Sequence, residues 1–580
     1  MSISLHRLEN DIRKKVSLDV HLREWHSSIM LEGTVSTWDG LIIAGKMCTK
    51  RGYKGVVNRI RVNNLEIPEM RKPRLCDNFL NGKKFDVLII GGGITGSAIA
   101  RELSKWKLTI LLVDKEEDLA MHASSRNDGM IHPGIESKIG SKRAIFNVRG
   151  NEMYTRISEE LNVPIIRCGS SILYDNKWLA MAKPVLNIRA KKMGVIGARF
   201  LSADEVLKRE PNIAVPIAGA IHFDTTGVTS PYKMTVAYAE NAVENGAEVS
   251  LNTVVLSIKK NNEKIIGVET NRGTVIPKVV INAAGVFADK IADMVDDQFF
   301  SIHPRKGEII FLDKKKGRLI NGVIAKPSLA LTSGNTKGGG IVKTVDGNVL
   351  IGPDAYEQPF TEDFTTNMNN INALMKKHFP IIKGLSPADV ITYCAGIRAA
   401  TYEEDFVIER SECVGNLVYA AGIQSPGFAS APAIAEEIEK IACKVLSEVM
   451  EVKAKENWKP RRKAIPDLSK MDYETRSKII KENPSYGEIV CRCEGTSKGE
   501  IIDAINSLVP VYTVDGIKRR VRAGMGRCQG GFCLPTVMNI LCDETGLPMT
   551  AITKKGNISN ILVEETKNSA AYEVNINEEI

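Results

Sequence analysis

Phe85-Asp86-Val87-Leu88-Ile89-Ile90-Gly91-Gly92-Gly93-Ile94-Thr95-Gly96 is the stretch that decides the fold of this 580-residue chain. The apolar run from Phe85 to Ile90 has the length and composition of a buried parallel strand. Gly91, Gly93 and Gly96 follow it as GxGxxG, a helical pattern continues to Trp106, and a second apolar run, Leu108 to Val113, ends on Asp114. This order is that of a dinucleotide turn. The glycines let the chain double back and let a pyrophosphate approach the backbone, the amides and dipole of the helix start stabilise its charge, and the later carboxylate bonds a ribose hydroxyl. Strand, glycines, helix, strand and acid in sequence are far more specific than the glycines alone.

Two segments further out select a flavin over a nicotinamide dinucleotide. Val279-Val280-Ile281-Asn282-Ala283-Ala284-Gly285 is another strand ending in small residues, with Asp289 one helical turn beyond. Asn416-Leu417-Val418-Tyr419-Ala420-Ala421-Gly422 is a late strand followed by Pro426-Gly427 and a helix expected from near Ala431. An NAD dehydrogenase needs neither segment, whereas FAD proteins use such a distant second one. Alternating strand and helix patterns place the expected fold class as α/β: a Rossmann-like FAD-binding domain with an inserted mixed-sheet substrate domain over 85–450. A small N-terminal α+β module (1–66) and a linker (67–84) precede it. A charged connector (451–483), a compact cysteine-bearing domain (484–560) and a polar tail (561–580) follow.

Hydrophobic residues at 43% and charged residues at 25% describe a globular protein. The N-terminal MSISLHRLENDIRKKV lacks the apolar core of a signal peptide, and no apolar run is long enough for a bilayer, so the expected location is cytoplasmic, peripheral at most to the inner face of the membrane. A net charge of +9 over this length is weak support for nucleic-acid binding, and none is expected. Of the 11 cysteines, seven stand alone; Cys491-Arg492-Cys493 and Cys528-Gln529-Gly530-Gly531-Phe532-Cys533 form CxC and Cx4C pairs. Four thiolates at this spacing suit a [2Fe-2S] cluster or a structural zinc. Lys518, Arg519, Arg520, Arg522 and Arg527 crowd the same region; they raise the potential of an anionic cluster, form a solvated basic face, or dock an acidic partner.

Residues 85 to about 445 resemble the D-amino-acid-oxidase-type FAD oxidoreductases and, with the C-terminal domain, the catalytic subunits of anaerobic glycerol-3-phosphate dehydrogenases. The motifs that carry the resemblance are His122-Ala123-Ser124-Ser125-Arg126-Asn127-Asp128-Gly129-Met130-Ile131-His132-Pro133-Gly134, Gly347-Asn348-Val349-Leu350-Ile351-Gly352-Pro353, Ala395-Gly396-Ile397-Arg398 and Gly422-Ile423-Gln424-Ser425-Pro426-Gly427. It implies cofactor contacts from Gly91, Gly93, Ile94, Thr95, Gly96 and Asp114, from the loop Ser124, Ser125, Arg126 and Asn127, and from Val255, Gly285, Gly422, Ile423, Pro426 and Gly427. It also implies His132 as the base beside the flavin and Arg398 as the cation that clamps an anionic substrate. The bland alternatives are a core histidine bonded to a carbonyl and a structural ion pair of Arg398 with Asp405 or Glu404. Arg305, Lys306 and Lys343 are weaker candidates for a phosphate subsite. The cysteine segment resembles bacterioferritin-associated-ferredoxin-type [2Fe-2S] domains, which implies Cys491, Cys493, Cys528 and Cys533 as iron ligands. Residues 1–66 resemble a BON module through Leu31-Glu32-Gly33-Thr34-Val35 and Gly55-Val56-Val57-Asn58-Arg59-Ile60-Arg61-Val62, which implies docking to a membrane or a partner protein.

The expected activity is oxidation of glycerol 3-phosphate to dihydroxyacetone phosphate, with hydride passing to FAD and single electrons to the cluster and an external acceptor, either a partner protein or a quinone. Asp128, Pro133 and Lys343-Thr344 depart from the family pattern on the substrate side. A 2-hydroxy acid such as 2-hydroxyglutarate, or an amino acid, is therefore the alternative substrate. An electron-transfer or docking subunit without its own substrate is the alternative of another class.

Overall fold

The computed structural model describes residues 3–49, 52–326 and 338–564. Its contacts divide the chain into two units, one running to Arg462 without Glu116–Asp118, the other joining Glu116–Asp118 to the segment from Lys463 onward.

In the first unit, Phe85 and Val87–Ile90 are buried along the strand Lys84–Ile90, which lies inside an eight-stranded sheet. It pairs in parallel with Ile110–Val113 on one side and with Gly273–Asn282 on the other; Glu248–Ser250 extends the parallel run beyond Ile110–Val113. The sheet forks at Gly273–Asn282. Its early residues Gly273–Val275 pair antiparallel with Lys264–Thr270, and Val280–Asn282 pair in parallel with Leu417–Ala421. Strands covered on both faces need continuous apolar runs, as these have. Helix Ile94–Leu103 is buried along its whole length. The late helix spans Gly427–Ser447, beginning four residues before Ala431 with Pro432 inside it; the Phe428 carbonyl that Pro432 cannot bond accepts from the Tyr154 hydroxyl at 2.6 Å.

A second, nine-stranded mixed sheet carries the long pair Ile302–Leu312 and Val390–Thr401, antiparallel and in register from Ile302↔Thr401 to Phe311↔Thr392. The N-terminal segment folds into helices Ile3–Lys15 and Trp38–Met47 around a four-stranded sheet. The apolar-rich motif over 55–62 forms two short strands, Val56–Asn58 and Arg61–Val62, both paired with Ser28–Val35. The break falls beside Gly33, whose φ of 123° and close approach to the Asp19 carbonyl bend the central strand. Tyr402, far along the chain, completes the core of this segment.

The expected connector is ordered at its start. Lys107 N donates to Lys453 O (2.8 Å), Lys455 N to Lys105 O (2.7 Å) and Arg462 N to Glu160 O (2.9 Å), while Arg101 and Lys105 stack on Trp458. In the second unit, helices Lys498–Ile505, Val514–Val521 and Leu534–Thr545 enclose one apolar core that includes Cys491 and Cys533. Of the expected polar tail, residues 565–580 lie outside the described residues.

Candidate active site and cysteine cluster

The dinucleotide turn is built by backbone contact. A Cβ on Gly91, which has φ 112°, would stand 2.3 Å from the Ala283 carbonyl oxygen, and one on Gly96 would stand 1.9 Å from the Gly91 oxygen. Asp114 Oδ2 accepts from Gly92 N at 2.6 Å, and Ser124 Oγ accepts from Ile94 N at 2.9 Å. Above this turn opens a cavity of about 1290 Å³, lined by Gly91, Gly93, Ile94, Thr95, Asp114, Ser124, Arg126, Asn127, Val255, Gly285, Ile423, Pro426 and Gly427. His132 and Arg398 line the same cavity. Gly96, Ser125 and Gly422 stand behind its wall: Gly96 against Gly91, Ser125 Oγ donating to His122 O (3.4 Å), and Gly422 against Thr401 and Asp405. The cradle fits an FAD. Its glycines leave no room for side chains where a pyrophosphate would lie, and its size matches a large dinucleotide.

The loop from His122 fixes itself. Asn127 Nδ2 donates to the Ala123 and Ser124 carbonyls (3.0 and 3.1 Å) and its Oδ1 accepts from Gly129 N (2.9 Å). Arg126 donates to Met121 O and Ala395 O and lies 4.1 Å over the Phe364 ring. Gly307 and Gly396 face each other across the long strand pair. A Cβ at the first would meet Arg398 Nη2 at 2.5 Å, and one at the second would meet the Arg126 carbonyl at 2.7 Å. These two cross-strand glycines therefore make the space that the two arginines occupy.

His132 follows the strand Met130–Ile131, and its backbone carbonyl is held by Asn151 Nδ2 at 2.8 Å. Its Nδ1 lies 3.8 Å from Glu136 Oε2. Arg398 Nη2 donates to the Asp354 carbonyl at 2.9 Å. Burial pulls the Arg398 guanidinium below its ordinary value, helped by the Arg305 charge and opposed by Asp354, Asp128 and Glu357. Burial likewise raises the Asp354 carboxyl to about 6. The sequence alternative for Arg398 does not occur: Glu404 is taken by Arg305, Arg143 and Gln424, and Asp405 accepts from the backbone amides of Lys142 and Arg143.

Of the weaker phosphate candidates, Arg305 lines the cavity but is forked between Glu357 (3.0 Å) and Glu404. Lys306 is bonded to Asp363 (2.8 Å) and Thr365 (3.2 Å). Lys343 sits at the end of strand Gly340–Lys343, outside the lining.

Sequence reasoning missed the wall that the N-terminal segment supplies. Lys46 lines the cavity and pairs with Glu357 at 3.5 Å. Against the burial that would raise it, His303, Arg305 and Lys46 hold the Glu357 carboxyl down to about 2. Beside it, Glu403 also lines the cavity, and burial pushes its carboxyl up to about 7, with the Val56 amide and Thr401 hydroxyl opposing. Neither Lys46 nor Glu403 belongs to a local motif. Their placement comes from a Gly45 helix surface lying on the Tyr402 ring, where a Cβ would stand 2.2 Å from Cε1.

In the second unit the four paired cysteines converge. Cys493 Sγ lies 3.6 Å from Cys528 Sγ, and the Cys533 thiol bonds Cys491, holding the latter down to about 6. Backbone amides of Gly524 and Glu494 point at Cys491, and those of Phe532, Gly530 and Gly531 at Cys528. Four converging sulfurs with amides aimed at them fit an iron-sulfur cluster, whose anionic sulfurs need such donors. The surrounding cations are largely spoken for. Asp118 pairs with Arg519 (3.1 Å) and Arg520 (2.9 Å), and Glu494 with Arg522 (2.8 Å).

These are the features of a dinucleotide-binding oxidoreductase carrying a second, cysteine-held redox centre. The chain belongs to the FAD dependent oxidoreductase family, whose model matches residues 86–441. Residues 489–543 match the BFD-like [2Fe-2S] binding domain. The glycerol 3-phosphate dehydrogenase of Caloramator mitchellensis is 39% identical over 83% of this chain and 99% of its own. The glycerol 3-phosphate oxidase of Mycoplasma genitalium is 28% identical over 65% of this chain and 97% of its own. Among solved structures, a dithionite-reduced L-alpha-glycerophosphate oxidase from Mycoplasma pneumoniae with FAD bound aligns with a TM-score of 0.60 and 26% identity, covering 66% of this chain and 98% of that one.

Proposed function

We propose that the chain oxidises the secondary alcohol of glycerol 3-phosphate to dihydroxyacetone phosphate and passes the electrons to an external acceptor, as the anaerobic type of dehydrogenase does. The observation that carries this reading is the convergence of His132 and Arg398 on the cavity that Gly91 and Gly93 floor. The kinship with a glycerol 3-phosphate dehydrogenase over nearly its whole length supports the substrate.

The reaction removes one hydrogen with two electrons from the carbinol carbon and one proton from its hydroxyl. FAD, when bound, would supply the hydride acceptor, and a [2Fe-2S] cluster, which Cys491, Cys493, Cys528 and Cys533 would hold, would supply a one-electron acceptor. His132 takes the hydroxyl proton at Nε2, and the Glu136 carboxylate, 3.8 Å from Nδ1, favours the imidazolium that forms. Arg398 holds the phosphate; its guanidinium fork is fixed by the Asp354 carbonyl and given room by Gly307. The Asn127 and Arg126 side chains lock the loop that orients the ring-binding face. We assign the acceptor to a partner protein docked through the BON-like segment 1–66.

An anaerobic absorbance titration with sn-glycerol 3-phosphate tests the reading. Bleaching of the flavin band and of the broader iron-sulfur absorption is expected. If both chromophores stay oxidised with glycerol 3-phosphate but bleach with L-2-hydroxyglutarate, the substrate assignment is rejected in favour of a 2-hydroxy acid.

A further inference from the structure

Among the described residues, no helix is long and apolar enough to cross a membrane. One helix nevertheless presents two apolar faces. Lys183–Met193, continuous with the 3₁₀ turn Lys177–Ala182, packs Leu186, Ala190 and Met193 into a small core with Ile135, Val195 and Phe223. Its other side carries Trp178, Met181, Val185 and Ile188, spaced three, four and three residues apart as a single helical stripe. That stripe is uncovered: these side chains are 75%, 69%, 68% and 57% exposed. An isolated exposed apolar residue needs no explanation, but a contiguous stripe of large ones does.

The charge around the stripe identifies what covers it. Between Asn176 and Ala203 the chain holds Lys177, Lys183, Arg189, Lys191, Lys192 and Arg199 and no Asp or Glu. Arg199 is paired with Asp224 (2.7 Å), and Arg189 is spent internally, donating to the Ile135 and Ser137 carbonyls (2.9 and 2.7 Å). Lys177, Lys183, Lys191 and Lys192 are exposed beside the stripe. A short helix with tryptophan and aliphatic residues on one side and flanking lysines lies in the plane of an anionic lipid surface, its apolar face sunk to the headgroup boundary and its ammonium groups among the phosphates.

We propose that residues 177–192 are a membrane-contact element by which the enzyme rests on an anionic bilayer. This reading is independent of the substrate and differs from docking through residues 1–66. A bilayer, rather than an acidic protein, suits a surface with an unbroken apolar stripe. The element also touches the cavity wall, because Arg189 bonds the Ile135 and Ser137 carbonyls in the middle of the loop that runs from His132 to Ser141.

Co-sedimentation of the full-length holoenzyme with vesicles tests it. The enzyme is expected to sediment with phosphatidylcholine–phosphatidylglycerol vesicles, weakly with phosphatidylcholine alone, and less as salt rises. Trp178→Ser/Met181→Ser/Val185→Ser and, separately, Lys183→Glu/Lys191→Glu/Lys192→Glu are each expected to weaken binding by about tenfold or more. Unchanged flavin reduction would show that both variants are folded. Three results would overturn the proposal: no vesicle binding by the wild type, equal binding by wild type and both variants, or loss of self-association in the apolar variant with vesicle binding intact, which would make a second copy the occupant.

Discussion

His132 and Arg398 reach the cavity from separate strands, one just past Met130–Ile131 and the other on Val390–Thr401, so each can be altered without moving the other. His132→Asn keeps a hydrogen-bonding side chain of similar reach but removes the proposed base. It is expected to lower kcat by roughly 10²–10⁴ while leaving the flavin spectrum intact, read by stopped-flow reduction; a variant that turns over normally would make this histidine structural. Glu403 carries a different signature. Its carboxyl is raised from 4.5 to about 7 by burial, so the folded state resists its ionisation. The stability it allows is present below about pH 4.5 and is lost as pH rises through 7, by about 3 kcal/mol in all. Glu403→Gln cannot ionise and should raise Tm relative to wild type at pH 8 but not at pH 5. An equal Tm difference at both pH values would dismiss the shift.

At the scale of elements, the informative contact is between helix Trp38–Met47 and Tyr402. Replacing a mid-helix glycine by alanine ordinarily stabilises by about 1 kcal/mol. At Gly45 the new Cβ would lie 2.2 Å from Tyr402 Cε1, and that ring is 4% exposed with its hydroxyl bonded to Asn58. Gly45→Ala is therefore expected to destabilise by roughly 1–3 kcal/mol, a reversal of sign seen in Tm; a stabilised variant would mean the helix sits off the ring. The same contact shows which elements could be foreseen. Strand Lys84–Ile90, its glycines and Asp114 were legible because the rules that place them act over about thirty residues of continuous chain. So were the CxC and Cx4C pairs and the cofactors they and the glycines imply. The split of residues 55–62 into two strands, the strap from Lys453 to Arg462 and the cavity-lining Lys46 were not legible. Each depends on a partner distant in sequence: Gly33 against Asp19, Trp458 against Arg101, Lys46 against Glu357. A charged stretch such as KENWKPRRK reads as solvated until the surface that receives it is known.

For the whole molecule, the two redox domains predict a separation of function. Cys528→Ser removes one of the four proposed sulfur ligands and is expected to abolish the iron-sulfur absorption. Substrate should still bleach the flavin band, while reduction of a one-electron dye falls sharply; a variant that reduces the dye as fast as wild type would show that electrons leave by another way. The core of residues 3–62 has a consequence in time as well as in space. It is closed by Tyr402, and Ser28 and Trp25 bond to the Phe299 and Gln298 carbonyls. On a ribosome adding about 5–20 residues per second, the segment emerges before Tyr402 and then waits roughly 20–70 s for the ring that completes it. During that interval its face around Gly45 is bare, so the segment cannot finish folding until Tyr402 has been made, and the nascent chain offers that face to chaperones and proteases in the meantime.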